Sequence, residues 1–221
     1  FIPGAPDSLP AIDTTGTPIN LVLDSDVPSG KIALVGARII TSKGDEVIED
    51  GTIIIDQNRI TDIGKRSDII VPLEATTIDV KGKTIIPGLV DVHAHMNHWS
   101  GGISTAQNWS YMANLAFGVT TTHDPSASTE MVFSQSEMVK RGVMMGPRIF
   151  STGTILYGAE GDFKAIVNSL DDARSHLRRM KSVGAFSVKS YNQPRRDQRQ
   201  QIMQAAREME MQVYPVGGSI F

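Results

Sequence analysis

The chain has no cysteine, which excludes disulfides and thiolate metal sites and leaves the redox compartment open. No apolar run approaches the roughly 20 residues that a membrane helix needs. Charge of one sign is scarce as well. The 21 Lys and Arg and 24 Asp and Glu leave a net charge of -3, without a basic patch or an acidic tail. Nucleic acid and an anionic membrane are therefore not expected partners. No signal-peptide or transit-peptide pattern opens the chain. What is present is a 221-residue sequence that is 40% hydrophobic, enough for a core in one or two domains.

Composition and periodicity divide the sequence into three parts. Residues 1–30 are rich in Pro, Gly, Asp, Ser and Thr, with one apolar patch at Ile19–Leu23, and read as a linker or arm. Residues 31–86 carry short β-branched runs. Ile32–Val35 and Ala37–Ile40 come first. Gly51–Asp56 and Arg59–Ile63 then flank the turn Gln57-Asn58, and Thr76–Val80 and Thr84–Ile86 flank Lys81-Gly82-Lys83. Such spacing predicts hairpins in a small β-sandwich segment or partial barrel.

From residue 87 to 221 strands alternate with helices. Strands are expected at Leu89–His93, Val119–His123, Arg148–Thr152, Ala185–Ser190 and Gln212–Val216. Helices are expected at Ser104–Ala116, Thr129–Arg141, Ser169–Val183 and about Arg195–Met209. In the third helix Leu170, Ala173, Leu177 and Met180 make one apolar stripe. Ser169 with Asp172 resembles a capping box, and Gly184 is a stop. His176, mid-helix, reads as surface, and the ten methionines read as core filler. The alternation predicts an α/β fold with parallel strands and right-handed crossovers. Either an open doubly wound sheet or a (β/α)8 TIM barrel would fit. A dinucleotide site has no support, because no Gly-x-Gly-x-x-Gly turn follows the first strand. About 135 residues follow Pro87, whereas a barrel needs about 250, so a barrel here would be incomplete, with about five strands. The chain opens on Phe1 and stops soon after a strand-like run, and is expected to be part of a longer polypeptide.

The most informative chemistry stands at the end of the run Thr84-Ile85-Ile86-Pro87-Gly88-Leu89-Val90-Asp91-Val92-His93-Ala94-His95. In a strand, alternate side chains share a face. Val90, Val92 and Ala94 should meet the helices, and Asp91, His93 and His95 should point inward at the strand mouth. Two adjacent imidazoles are good ligands for zinc and similar ions. In the fourth strand Ser187, Lys189 and Tyr191 share a face opposite Phe186 and Val188, which aims Lys189 inward. A buried ammonium must find compensation, snorkel to the mouth or lose its proton. A neutral amine there can take up carbon dioxide as a carbamate, whose two oxygens can bridge two metal ions.

The string from Gly82 to His95, its β-rich prelude, and Phe117-Gly118-Val119-Thr120-Thr121-Thr122 at the second strand resemble the amidohydrolase superfamily. The resemblance runs from about Lys31 to Phe221 and points to the branch related to imidazolonepropionases and prolidases. It implies a metal-dependent barrel preceded by half of a β-sandwich. It also implies His93, His95 and a carboxylated Lys189 as metal ligands, one or two divalent ions with zinc first among them, and water-driven hydrolysis of an amide, cyclic amide or dipeptide. Val188-Lys189-Ser190-Tyr191-Asn192-Gln193-Pro194 is further similar to members in which a β-propeller precedes the barrel in the same polypeptide. Family members carry histidines at strands five and six and a general-base aspartate at strand eight. Here Tyr214-Pro215-Val216-Gly217-Gly218 offers no histidine, and the aspartate would lie beyond Phe221.

His98, His123, Tyr157 and Tyr191 sit where they could line a substrate pocket, and His123 with Asp124 could serve as outer partners. The expected partners are a small-molecule or dipeptide-like substrate and the remainder of the barrel, and a homo-oligomer is compatible. Residues 1–221 alone are expected to be inactive and poorly soluble. The alternative to a hydrolase is an inactive amidohydrolase-like scaffold or binding module, which the missing strand-five histidine keeps open.

Overall fold

A computed structural model describes residues 24–98, 103–162 and 164–216. The apolar patch Ile19–Leu23 and the Gly217-Gly218 pair lie outside the described residues.

Five strands build the first sheet: β1 (Lys31–Ile40), β2 (Val47–Asp56), β3 (Arg59–Lys65), β4 (Thr76–Asp79) and β5 (Thr84–Ile85), in the order β3-β2-β1-β4 with β5 also on β1. The β2–β3 hairpin turns at Gln57 as expected. Two details differ from the sequence reading. The two runs expected before Thr41 are one ten-residue strand, with register shifts on either side of Ala37, beside Gly36. β4 and β5 do not pair with each other. Both lie parallel along β1, and backbone bonds from Val80 to Val35 and from Arg38 to Lys83 carry the segment along that strand. Ala37, Ile39 and Ile53 form the core of this sheet. The described residues here make one mixed sheet, and a second sandwich layer is not among them.

The remainder is α/β. β6 (Leu89–Asp91), β7 (Val119–Asp124) and β8 (Arg148–Ser151) form a parallel sheet in that order. β9 (Ile155–Tyr157), β10 (Lys164–Ile166), β11 (Ser187–Ser190) and β12 (Gln212–Pro215) form a second, in the order β10-β9-β11-β12. Between the strands run α1 (Trp109–Ala116), α2 (Thr129–Arg141), α3 (Leu170–Ser182) and α4 (Arg196–Glu208). All five expected strands and four expected helices are therefore present. β9 and β10 were not expected. Each has three residues, too few for a periodic signal, yet Ile155 and Leu156 are buried and Leu156 pairs with Ser190. α1 starts late because the Asn108 side chain caps it, accepting the Ser110 N–H at 3.0 Å. α3 starts as expected, with the Ser169 hydroxyl accepting the Asp172 N–H at 3.1 Å.

Two expectations about faces need correction. Val90 and Val92 do not meet helices but are more than half exposed, and only Ala94 of that set is buried. β6 is a three-residue strand at the end of its sheet, with only β7 beside it among the described residues. His176 is not on the surface. It is 3% exposed, and its Nε2 lies 3.2 Å from the Thr154 carbonyl. The cause is that α3 packs beneath the β9 segment, which the sequence did not reveal as structure.

Burial lowers the His176 pKa from 6.5 to about 4, with the Thr154 carbonyl opposing the shift and Arg179 adding to it. The group is neutral when folded, so between about pH 4 and 6.5 the unfolded chain binds more protons. Stability should be complete above that window and fall as pH drops through it, by on the order of 3 kcal/mol in full. Urea unfolding from pH 7 to 4 should show this loss, and H176Q should flatten it. An unchanged slope in the variant would refute the assignment.

The α/β part has two apolar clusters. Leu156, Leu177, Val188, Ile202 and Ala205 belong to one, and Ala94, Met96, Tyr111, Val132 and Ile149 to the other. Phe133 on α2 packs against both. Among the described residues no helix is long and apolar enough to cross a membrane.

Candidate active site

The histidine pair is delivered by a tight exit from β6. Gly88 comes so close to β7 that a Cβ on it would meet the Thr120 hydroxyl at 2.0 Å, so this step of the motif needs glycine. The strand was expected to run to His93 but ends at Asp91, whose carboxylate accepts the His93 N–H at 2.9 Å. A side chain that satisfies a nearby backbone donor competes with the strand ladder. The chain is then pinned to the end of β7. Ala94 donates to the His123 carbonyl at 3.0 Å, and Met96 donates to Asp124 Oδ2 at 3.2 Å. His93 and His95 thus stand edge to face, with ring centroids 5.0 Å apart. The His95 side chain is 53% exposed, and its Nδ1 lies 3.3 Å from Asp124 Oδ1.

Asp124 is the centre of a buried network. It is 1% exposed. Its Oδ1 also accepts the Ser126 N–H at 2.9 Å, and its Oδ2 contacts His98 Nε2 at 2.8 Å. The other ring nitrogen of His98 meets the Tyr111 hydroxyl, which donates to Gln135 Oε1 at 2.5 Å. Gln135 donates back to the His98 carbonyl at 2.5 Å and to the Ser104 hydroxyl at 3.0 Å. Both nitrogens of His98 are therefore engaged within the protein. Burial, and secondarily the Asp124 charge, push the Tyr111 phenol pKa well up.

A second group comes from β7, β11 and β12. His123 Nε2 lies 2.9 Å from the Ser187 hydroxyl, and its ring stacks on Tyr214 at 4.5 Å. His123 Nδ1 is buried without a hydrogen-bond partner among the described residues. Burial lowers the His123 pKa. The Val92 backbone and Asp124 pull it back, and His93 lowers it further. Lys189 stands beside Tyr214 in register and is 3% exposed. Its Nζ sits 5.0 Å from the Tyr191 ring centre. Burial lowers its pKa, and only the Asp124 charge works against that. Tyr157 and Tyr191 are brought together, with ring centroids 5.3 Å apart, and Lys164 lies over the Tyr157 ring.

The charge of Asp124 thus links the two groups, since it is felt at Lys189 and at His123 and its carboxylate lies beside His95. A cavity of about 650 Å³ opens over His95, Met96, His98, Ser126 and Asp162. A larger groove, about 820 Å³, lies between α2 and α3 and carries none of these groups except the buried His176.

The donor chemistry can be tested against a divalent cation. Among the described residues no three His, Cys, Asp or Glu side chains form a metal-holding group. A pair of imidazoles nevertheless stands ready, and the one further inward-facing candidate is a buried lysine whose environment favours the uncharged amine. The set fits a cation if Lys189 supplies the third donor. Tyr111 and Gln135 had drawn no attention in the sequence, and Ser187 only as a neighbour of Lys189 on the inward face of its strand. They act at long range, and no local spacing marks them.

No protein-family model matches the chain. Over 67 residues, 28% of this chain and 16% of the relative, it is 39% identical to an imidazolonepropionase of Vibrio cholerae serotype O1. Over 68 residues, 30% and 15% of the two chains, it is 40% identical to a 5-methylthioadenosine/S-adenosylhomocysteine deaminase of Bacillus cereus. Among solved structures, a Bifidobacterium longum protein described as a prolidase matches 86% of this chain and 50% of its own, with TM-score 0.71 and 21% identity. A Xaa-Pro dipeptidase with methionine bound in its active site matches 85% and 56%, with TM-score 0.65 and 23% identity. The matches span 15–16% of these curated relatives and 50–56% of these solved chains. The chain has an α/β fold shared with prolidase and amidohydrolase structures. In sequence and fold together it resembles the amidohydrolase superfamily.

Proposed function

We propose that this chain is part of a metal-dependent hydrolase acting on carbon–nitrogen bonds, and that it holds half of that enzyme's barrel with its first metal ligands. The observation that carries the reading is the edge-to-face pair His93 and His95, set just after β6 beside the Asp124 carboxyl group. His93 and His95 would hold a divalent cation, zinc first by donor type. Lys189, as the free amine or its carbamate, would add the third donor. When bound, such an ion supplies Lewis acidity and an activated water near neutral pH. The protein's own part is to lower the Lys189 pKa by burial and to set His95 beside Asp124. His98 would shape the pocket through its ring rather than through a free nitrogen, and His123, Tyr157 and Tyr191, outside the lining of the cavity over His95, would meet only substrate that extends beyond it. A small amide, cyclic amide or dipeptide suits a cavity of about 650 Å³. The scaffold reading gains nothing from the relatives, whose names are those of enzymes.

The test is metal analysis of the full-length protein purified without chelator, with a screen against dipeptides, hydantoin-like rings and lactones. About one or two equivalents of a divalent metal and turnover of one class are expected. Near-zero zinc, manganese and iron would overturn the reading.

A further inference from the structure

We propose that Asp124 is the positioning residue of this centre. It holds His95 with the ring proton on Nδ1, so that Nε2 is the nitrogen offered to a cation. The inference rests on the metal reading above and deepens it.

Three features of the geometry support the assignment. First, the carboxylate is fixed. It is 1% exposed and accepts Met96 N–H and Ser126 N–H at 3.2 and 2.9 Å. The Asp124 backbone is held too, because its carbonyl accepts the Ser151 hydroxyl at 2.7 Å and the Thr152 N–H at 3.1 Å. Second, a buried network stands behind it. The Gln135 amide nitrogen faces two acceptors, the His98 carbonyl and the Ser104 hydroxyl, so its oxygen must face Tyr111. Tyr111 donates to that oxygen, and the next members toward the site are His98 and then Asp124 Oδ2. His98 therefore braces Oδ2 from α1 and α2. Third, His95 has little else to orient it. Half of its side chain is open to solvent, and the contacts that orient it among the described residues are the His93 ring edge and Asp124 Oδ1, at the ion-pair distance of 3.3 Å. A carboxylate on the second ring nitrogen of a ligand histidine sets both its tautomer and its angle.

The two backbone N–H donors also explain why the residue is an acid. An amide at 124 would turn its NH2 toward N–H donors on one side or the other. D124N should therefore disturb the clamp while nearly conserving volume.

The experiment compares the full chain with D124N and with Y111F, which loosens the brace and leaves the carboxylate in place. Zinc affinity is read by competition with a chromophoric chelator. The His95 tautomer is read separately, by long-range proton–nitrogen NMR on the metal-free protein. D124N is expected to weaken zinc roughly 10- to 100-fold, the range seen when such outer partners are lost. It should also shift His95 away from the pure Nδ1–H form. Y111F should do both to a smaller degree, and it decides the question if D124N does not fold. Wild-type zinc affinity and an unchanged His95 tautomer in both variants would overturn the proposal. If the wild-type chain binds no zinc, the metal reading fails, and the tautomer measurement still decides what Asp124 does.

Discussion

Replacing His93 and His95 together with alanine is expected to abolish metal uptake and leave the fold standing. Both residues are exposed, the His95 side chain by 53%. Surface changes of this kind usually move stability by no more than about 0.5 kcal/mol. Losing two imidazole ligands is a larger loss than losing an outer partner, which already costs about 10- to 100-fold. Affinity should therefore drop by on the order of 1000-fold or more, about 4 kcal/mol. Elemental analysis beside a circular-dichroism melt checks both halves. A double variant that melts like the parent and still carries its metal would remove the histidine pair from the site.

The second large effect concerns Lys189. Its amine is buried, and burial is the first cause of its lowered pKa. A folded pKa below the unfolded value means that the folded state binds fewer protons in between. Stability should rise with pH from the depressed folded value up to the unfolded one, near 10.4, and be reduced below that window. Lys189→Met removes the titrating group and keeps an unbranched stem. It should stabilise the metal-free protein by about 1 kcal/mol or more at neutral pH, because the cost of the depressed folded pKa goes with the group. The same variant should lose metal binding and any carbamate signal after incubation with carbon-13 bicarbonate. Denaturant titrations at neutral and alkaline pH, with and without zinc, separate these outcomes. A variant less stable than the parent without metal, yet binding it normally, would show that Lys189 is a structural residue.

These two predictions use residues that the sequence exposes by local pattern. An apolar run ending in His-x-His needs only period two to be read, and the α3 stripe of Ala173, Leu177 and Met180 needs only period 3.6. Where the chain departs from those periods, the pattern falls silent. β9 is three residues inside a Gly-rich loop, and without it His176 had no visible reason to be buried. The clamp on Asp124 joins β7 to α1 and α2, and the partners Tyr111 and Gln135 lie 13 and 24 positions from the groups they bind. Such contacts are fixed by packing, not by spacing. Tyr214 stood out in the sequence only as the absence of a histidine. In the structure its ring is a platform for His123.

The two apolar clusters joined through Phe133 bear on how the molecule comes apart. Contiguous packed units can open separately when little couples them. His93 and His95 flank Ala94 of one cluster, and Lys189 adjoins Val188 of the other. A cation held by all three would rivet the clusters to each other, and loading the site would merge their amide-exchange behaviour into one cooperative transition.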